Sequence, residues 1–428
     1  MKHLLRNLVY SFPAFAFAVP TLPVMILLPP LYSEKFGYDI AIIGISIFFA
    51  RIIDILSDPI MGWICDKNYF SKKIWLIAGG LLSGFALYKL LVVENVTYKE
   101  YLFVWISVLY FGWTIFQIPY LSIGYDLEKD YHSRTKLNAS REMFILLGLF
   151  FSLTFPIFFK LQTFDSLEYL VFIVISFGII SLILFIFLVD EKFVPKKKKN
   201  FFQVYKNLIK NKRYVILIGA SFINNIANVL PMILFSFFVT DVLGGSDKER
   251  QYLLFFYFLF AIIGVPFWSY LSNALEKKKC WILSLILSSA FFIFVLLIGR
   301  DDIFLFIIIC CLTGFCLGAD MFLPPSMQAD VTDYHKLRFN EDISGVMFAS
   351  ITFLNKFAFA VGSIFVFSIL GFLKFETNST ISSESKAFIY ISYALIPVFL
   401  KLFSSYLLTK FNSSRMDQLQ IQKKIYGN

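Results

Sequence analysis

Arg51, Asp54 and Asp58 stand at i, i+3 and i+7 in a long apolar stretch that runs from Ala50 through Asp58-Pro59-Ile60-Met61-Gly62 to Asp66-Lys67. At 3.6 residues per turn they share one helix face. In a membrane helix such a stripe must face a protein interior or a wet cavity, and it marks a functional site. Two carboxylates one turn apart repel, so one binds a proton or both share a cation. Hard oxygen ligands suit Na⁺ or H⁺. The competing use is an internal salt bridge to Arg51 that only joins helices. Two acids facing one arginine leave a surplus negative charge, which favours the ion.

A second stretch, Thr114-Ile115-Phe116-Gln117-Ile118-Pro119, offers a hydroxyl oxygen at Thr114 for the same cation, with Gln117 on a neighbouring part of that face. Interhelical bonding is the ordinary use of such residues. Asn224 and Asn228 share a face, next to Asn225; binding a polar substrate and bonding helix to helix stand as equal readings. Asp320 is an acid in an apolar run near Gly314 and Gly318. Lys356, beside Asn355, lies too deep in its run to snorkel easily. It reads as a cavity lysine able to answer Asp54 or Asp58. Acids and bases mix at Gly62-x-x-x-Asp66-Lys67, at 126–141 and at 330–338. They form either a network that holds one conformation closed or a solvated charge cluster.

The elements that must position these residues are membrane helices. Hydrophobic residues make up 58% of the 428, charged residues 16%, and Phe occurs 54 times. A soluble protein carries about 25% charge. Mean hydropathy is +0.73. Twelve apolar runs long enough to span a bilayer fall near 10–32, 41–65, 74–93, 102–125, 141–160, 167–189, 214–239, 251–272, 280–299, 303–325, 343–373 and 388–409. Pro20, Pro23, Pro29 and Pro30 predict a bent or broken first helix, tolerated where it lines protein or water.

Basic residues cluster in alternate connections, among them Lys67, Lys72, Lys73, Arg134, Lys196 to Lys199 and Lys277 to Lys279. The bias is about three to one and puts both termini in the cytoplasm. The net charge of +10 is therefore topology, not a nucleic-acid surface. The tetralysine is a solvated linker or a contact for anionic headgroups.

The polar stretch 190–213 divides the chain into a six-helix bundle 1–189 and a second one 214–410, with a tail 411–428. The halves echo each other. Asp58-Pro59 through Trp63, followed by Lys72-Lys73-Ile74-Trp75, is matched by Val265-Pro266 through Trp268, followed by Lys278-Lys279-Cys280-Trp281. Pro119 before Asp130-Tyr131-His132 is matched by Pro324-Pro325 before Asp333-Tyr334-His335. Doubled halves of this kind place a site at the midplane.

Enzyme signatures are absent, as is any ATP-binding loop, so active transport must draw on an ion gradient. The five cysteines imply neither a disulfide framework nor a metal site, and no cofactor is expected beyond the coupling ion. His3, His132 and His335 fall in expected loops. No cleavable signal is evident. Asn378-Ser379-Thr380 is a glycosylation sequon in an expected outer loop, while the inside bias suits a bacterial inner membrane.

The pattern Ala50-Arg51-x-x-Asp54-x-x-x-Asp58-Pro59-x-x-Gly62 resembles the second-helix signature of the glycoside–pentoside–hexuronide cation symporters. These form a branch of the major facilitator superfamily that includes the melibiose permease. The resemblance extends through Tyr10-Ser11-Phe12-x-Ala14-Phe15, Thr114-x-x-Gln117-Ile118-Pro119, Ala329-Asp330-x-x-Asp333-Tyr334 and Lys356. It implies that Asp54, Asp58 and Thr114 bind the coupling cation and that Lys356 is the family's cavity lysine. It places Arg141 near the sugar site and Asp330 and Asp333 in a cytoplasmic gate, where Arg51 and Asp66 are also expected. The sugar-binding members have acids where this chain has Ala18 and Gln117, and aromatic residues at Leu121 and, by approximate alignment, Met321. The cation site is kept while the sugar site is not. The same branch contains lysophospholipid symporters with the helix-2 acids and the lysine.

The expectation is an all-α integral membrane protein of the major facilitator fold, a monomer among membrane lipids, with both termini cytoplasmic. It is expected to move a small organic solute with Na⁺ or H⁺. The alternative cargo is a lysolipid or an organic acid. The alternative of another class is a non-transporting receptor or scaffold.

Overall fold

The computed structural model describes residues 2–67, 69–93, 100–159, 163–191, 200–375 and 382–427, with the side chains of 2–4 and 163–166 set aside. The tetralysine and the sequon lie outside the described residues. Every regular element among the described residues is helical. Among the described residues twelve helices are long and apolar enough to cross a membrane. They are α1 (Leu5–Glu34), α2 (Ile40–Asp66), α3 (Lys72–Leu91), α4 (Tyr101–Leu127), α5 (Tyr131–Phe158), α6 (Leu167–Leu188), α7 (Lys212–Val242), α8 (Asp247–Leu275), α9 (Lys277–Leu297), α10 (Ile303–Phe339), α11 (Ser344–Phe372) and α12 (Ser383–Thr409). Each expected run is one helix.

The prolines of α1 act as their spacing predicts. The helix Lys2–Ala18 ends ahead of Pro20, a π-helical turn covers Pro23–Leu27, and an α-helix resumes over Leu28–Glu34. Each proline removes an N–H and crowds the carbonyl four residues back.

Elsewhere the helices overrun the apolar runs. α5 starts at Tyr131 rather than 141, and its first turn is capped by Asp130, which accepts from the backbone N–H of His132 (3.0 Å) and Ser133 (2.9 Å). Burial pushes the Asp130 carboxyl up, but the bonds from Ser133 and His132 outweigh it and hold the group below its ordinary value. α4 continues past Pro119, and α10 continues through Pro324 and Pro325 to Phe339. Two histidines expected in loops are therefore helical: His132 opens α5, and His335 is fully buried in α10. Polar helix ends carry no hydropathy signal, so only capping chemistry marks them.

The residues form two compact units. One comprises Met1–Tyr205 with Lys336–Phe353; the other comprises Lys206–His335 with Leu354–Asn428. In the first unit the start of α11 packs directly on α2. A Cβ added to Gly62 would lie 2.5 Å from Ala349 Cβ and 2.9 Å from the Gly345 carbonyl oxygen. One turn on, Asp66 accepts the N–H groups of Gly345 (2.7 Å) and Val346 (2.8 Å). The Gly-x-x-x-Asp spacing thus has a mechanism. The glycine admits the neighbouring backbone, and the acid on the same face satisfies orphan donors at the positive end of a helix.

In the second unit the tail is a helix, Arg415–Tyr426, opened by a capping box between Ser414 and Asp417.

Replacing Asp66 by Ala removes two charge-assisted bonds and is expected to destabilise the protein by about 1–2 kcal/mol. Gly62→Leu should cost more through overpacking. Both effects are read as lower melting temperatures in detergent; unchanged melting in both variants would contradict this packing.

Candidate cation-coupling site

α2 and α4 bring the expected acids and hydroxyl together. Asp54, Asp58 and Thr114 are 2%, 0% and 1% exposed. The Thr114 hydroxyl donates to Asp58 Oδ1 at 2.9 Å and lies 3.4 Å from Asp54 Oδ1. Ser57, which sequence reasoning missed, completes the cluster. Its hydroxyl is 2.9 Å from the Asp54 carbonyl oxygen and 3.2 Å from Thr114 Oγ1. Arg51 Nη1 is 3.3 Å from Asp54 Oδ2, and its guanidinium lies 4.2 Å from the centre of the Tyr110 ring, a cation–π contact. Tyr110 and Thr114 are one turn apart on α4, so a single register presents the ring to Arg51 and the hydroxyl to the acids. Arg51 thus stands beside Asp54.

The chemistry of this cluster is set by its atom types. Carboxylate oxygens accept, and hydroxyls either donate or rotate to offer a lone pair. Two carboxylates and two hydroxyls converge, with one guanidinium on the same face of α2. Such oxygens suit a small hard cation or a proton. Among the described residues no three of His, Cys, Asp and Glu cluster as a metal site.

The other expected site residues have different surroundings. Ala18 is buried where α1 crosses α5, and a Cβ on Gly148 would fall 2.7 Å from Ala18 Cβ. Two small residues make that crossing, which leaves no room for an acid at 18. Gln117 is exposed and Leu121 buried. Arg141 is buried and ion-paired to its neighbour Glu142. Nearby, the rings of Tyr10 and Tyr120 stack at 4.7 Å and the Tyr120 hydroxyl donates to the Tyr10 carbonyl at 2.6 Å.

In the second unit one buried carboxylate gathers four helices. Asp320 of α10 accepts from Asn224 Nδ2 (2.8 and 2.9 Å) and Asn228 Nδ2 (2.8 Å) of α7, and from Trp281 Nε1 (2.8 Å) of α9. Lys401 of α12 lies 3.4 Å from Asp320 and donates to Asn224 Oδ1 at 3.1 Å. Asn224 and Asn228 therefore spend amide donors on Asp320, which is the helix-joining use. Met321, next to Asp320, and Lys356 of α11 are partly buried; Asn225 bonds Asn355. Lys401 carries the same sequence signal as Lys356, a lysine inside an apolar run.

The two acids expected in a gate each have partners in the second unit. Asp330 pairs with buried Lys277 at 2.6 Å. Asp333 accepts from Gln418 (3.0 Å) and Tyr426 (3.0 Å) of the tail helix. In the first unit Lys72 reaches Asp126 at 2.5 Å. A buried lysine opening α3 and an acid late in α4 thus recur as Lys277 of α9 and Asp330 of α10, an echo of the halves in contacts as well as in sequence.

Residues 9–415 match the family model described as MFS/sugar transport protein. An uncharacterized symporter of Bacillus subtilis strain 168 is 23% identical over 395 residues, covering 86% of this chain and 83% of that protein. A putative glycoside/cation symporter of Escherichia coli K12 is 21% identical over 417 residues, covering 93% and 90%. The sodium-dependent lysophosphatidylcholine symporter 1 of Xenopus tropicalis is 27% identical over 188 residues, covering 43% and 35%. Among solved structures, the E. coli fucose:proton symporter aligns with TM-score 0.70 at 14% identity, covering 97% of this chain and 100% of that chain. A bacterial homologue of the iron transporter ferroportin aligns with TM-score 0.69 at 14% identity, covering 96% and 99%.

The Asp320 cluster supports a stability prediction. Asp320→Asn or Lys401→Met alone strands a buried charge and is expected to cost about 3–5 kcal/mol. The double variant should cost clearly less than the sum. Strict additivity in a thermal-unfolding cycle would show that the two groups do not act as a pair.

Proposed function

Since this chain belongs to the MFS/sugar transport family of membrane transporters, we propose that it is a cation-coupled symporter whose ion is held by Asp54, Asp58, Thr114 and Ser57. The observation that carries this reading is the meeting of two buried carboxylates and two hydroxyls on α2 and α4. Three relatives bear the name symporter, one of them glycoside/cation and one sodium-dependent.

The mechanism follows from electrostatics. Two adjacent buried carboxylates strain the conformation that encloses them. Na⁺ or H⁺ relieves that strain, so the ion binds one conformation better and shifts the population toward it. The cargo stabilises the same conformation, and the site then opens to the other side. Arg51, fixed on Tyr110, holds Asp54 in place while the ion comes and goes.

The cargo is a small organic solute, and galactosides are poor candidates. Ala18 cannot give way to an acid against Gly148, and Gln117, Leu121 and Met321 supply neither the acid nor the rings that the resemblance associates with sugar binding. An amphiphilic cargo is the second reading, favoured by the lysophosphatidylcholine symporter among the relatives. The basic-residue bias supports cytoplasmic termini in a bacterial plasma membrane, and the protomer acts as a monomer.

The test is uptake into proteoliposomes under imposed Na⁺ or H⁺ gradients, across sugars, organic acids and lysolipids. Asp58→Asn should lower gradient-driven accumulation at least about tenfold at unchanged expression. Normal accumulation by this variant would remove the ion from these acids. Flux insensitive to both gradients in the unaltered protein would remove coupling altogether.

A further inference from the structure

The first unit contains an apolar crevice of about 310 Å³ bounded by α1, α3, α4 and α6. No residue of α2 lines it, so it is separate from the cation cluster. Dry apolar cavities of about half that volume bind benzene.

Its place and its lining limit what can fill it. Ala16, Ser83, Trp113 and Gly178 lie near the middle of their spans, which is hydrocarbon depth. The two serine hydroxyls in its wall are turned back on their own helices. Ser83 donates to the Gly79 carbonyl at 2.7 Å, and Ser181 to the Gly178 carbonyl at 2.9 Å. The rim is lipid-facing: Leu81, Phe85 and Ile179 are 62%, 53% and 48% exposed.

Glycines in the walls show that the space is not an accident of helix contact. A Cβ on Gly80 would fall 2.7 Å from Leu182 Cδ1, so that glycine serves the close approach of α3 and α6. Gly84 and Gly178 differ. Cβ atoms there would meet nothing nearer than Ile175 at 3.9 Å and Ala16 at 3.7 Å. Alanine would fit at both positions and is the better helix former. Their lack of side chains instead keeps the crevice open.

We propose that this crevice holds one acyl chain of a bilayer phospholipid, which enters past Leu81, Phe85 and Ile179 and ends against Phe17 and Pro20, where α1 breaks. The occupant belongs to the surrounding bilayer and not to the transported cargo. It fills a void that close-packed interiors otherwise avoid and braces the discontinuous helix.

The experiment uses the intact protein in phosphatidylcholine–phosphatidylglycerol vesicles doped with a phospholipid that carries a diazirine midway along one acyl chain. After irradiation, adducts are mapped by peptide mass spectrometry. The expected result is labelling of the buried residues Ala16, Ser83 and Phe116 as well as of the rim. Gly84→Leu combined with Gly178→Leu should lower the inner adducts at least about tenfold and leave rim adducts intact. The wild-type map decides the matter even if that variant fails to fold. Adducts confined to the rim would mean ordinary surrounding lipid and overturn the proposal, as would inner adducts that persist in the filled variant. Displacement of the inner adducts by added lysophosphatidylcholine would also overturn it, by assigning the crevice to an amphiphilic cargo.

Discussion

The structure depends most on keeping charge away from hydrocarbon. On α2 the two sides of the helix divide sharply. Ile52, Ile53, Leu56 and Ile60 are exposed, while Asp54, Ser57 and Asp58 are buried. The apolar side can face lipid only because the acids turn inward onto Thr114 and the Arg51–Tyr110 pair. A carboxylate at that depth is costly unless paired, protonated or bound to a cation. The same pressure fixes α4, whose turn-spaced Tyr110 and Thr114 match the spacing of Arg51 and the acids.

The two units handle buried acid in contrasting ways. Asp320 is met by amide, indole and ammonium N–H groups. These groups can only donate, and the lysine supplies a fixed counter-charge. Such a carboxylate joins α7, α9, α10 and α12 and has no use for a mobile cation. Asp58 is met by the Thr114 hydroxyl, and Asp54 by that hydroxyl as well as by Arg51; hydroxyls, unlike N–H groups, can turn a lone pair toward an ion. The donor types therefore separate a structural acid from the acids to which the proposal gives the ion.

Much of the architecture was legible because membrane solvation is a coarse filter. Twelve apolar runs gave twelve helices, and the prolines of α1 broke it where their missing N–H groups required. Helix ends were less legible. Asp130 starts α5 ten residues before the apolar run, and α10 passes two prolines, because capping and neighbouring contacts outweigh local propensity there. The charged members of the α2 stripe were visible from spacing; Ser57 obeys the same i+3 rule from Asp54 but carries no charge to draw notice. The obstacle at Ala18 was invisible in sequence, since it lies in Gly148 across a helix crossing. The sequence marks Asp66 as one member of a charge network; that it also accepts the backbone N–H groups of Gly345 and Val346 is something no residue pattern reveals.

The central claim is that the α2–α4 oxygens bind the coupling ion, and cation-dependent stability of the purified protein tests it most directly. Melting temperature is measured against NaCl at constant ionic strength and against pH, in the wild type, Asp58→Asn and Asp320→Asn. An ion bound to the folded state alone adds about 2.7 kcal/mol at a hundredfold excess over Kd. The account predicts a saturable rise with Na⁺, or with proton concentration, that is lost in Asp58→Asn and kept in the less stable Asp320→Asn. A wild type indifferent to both ions, or an Asp58→Asn protein with the full wild-type response, would contradict it.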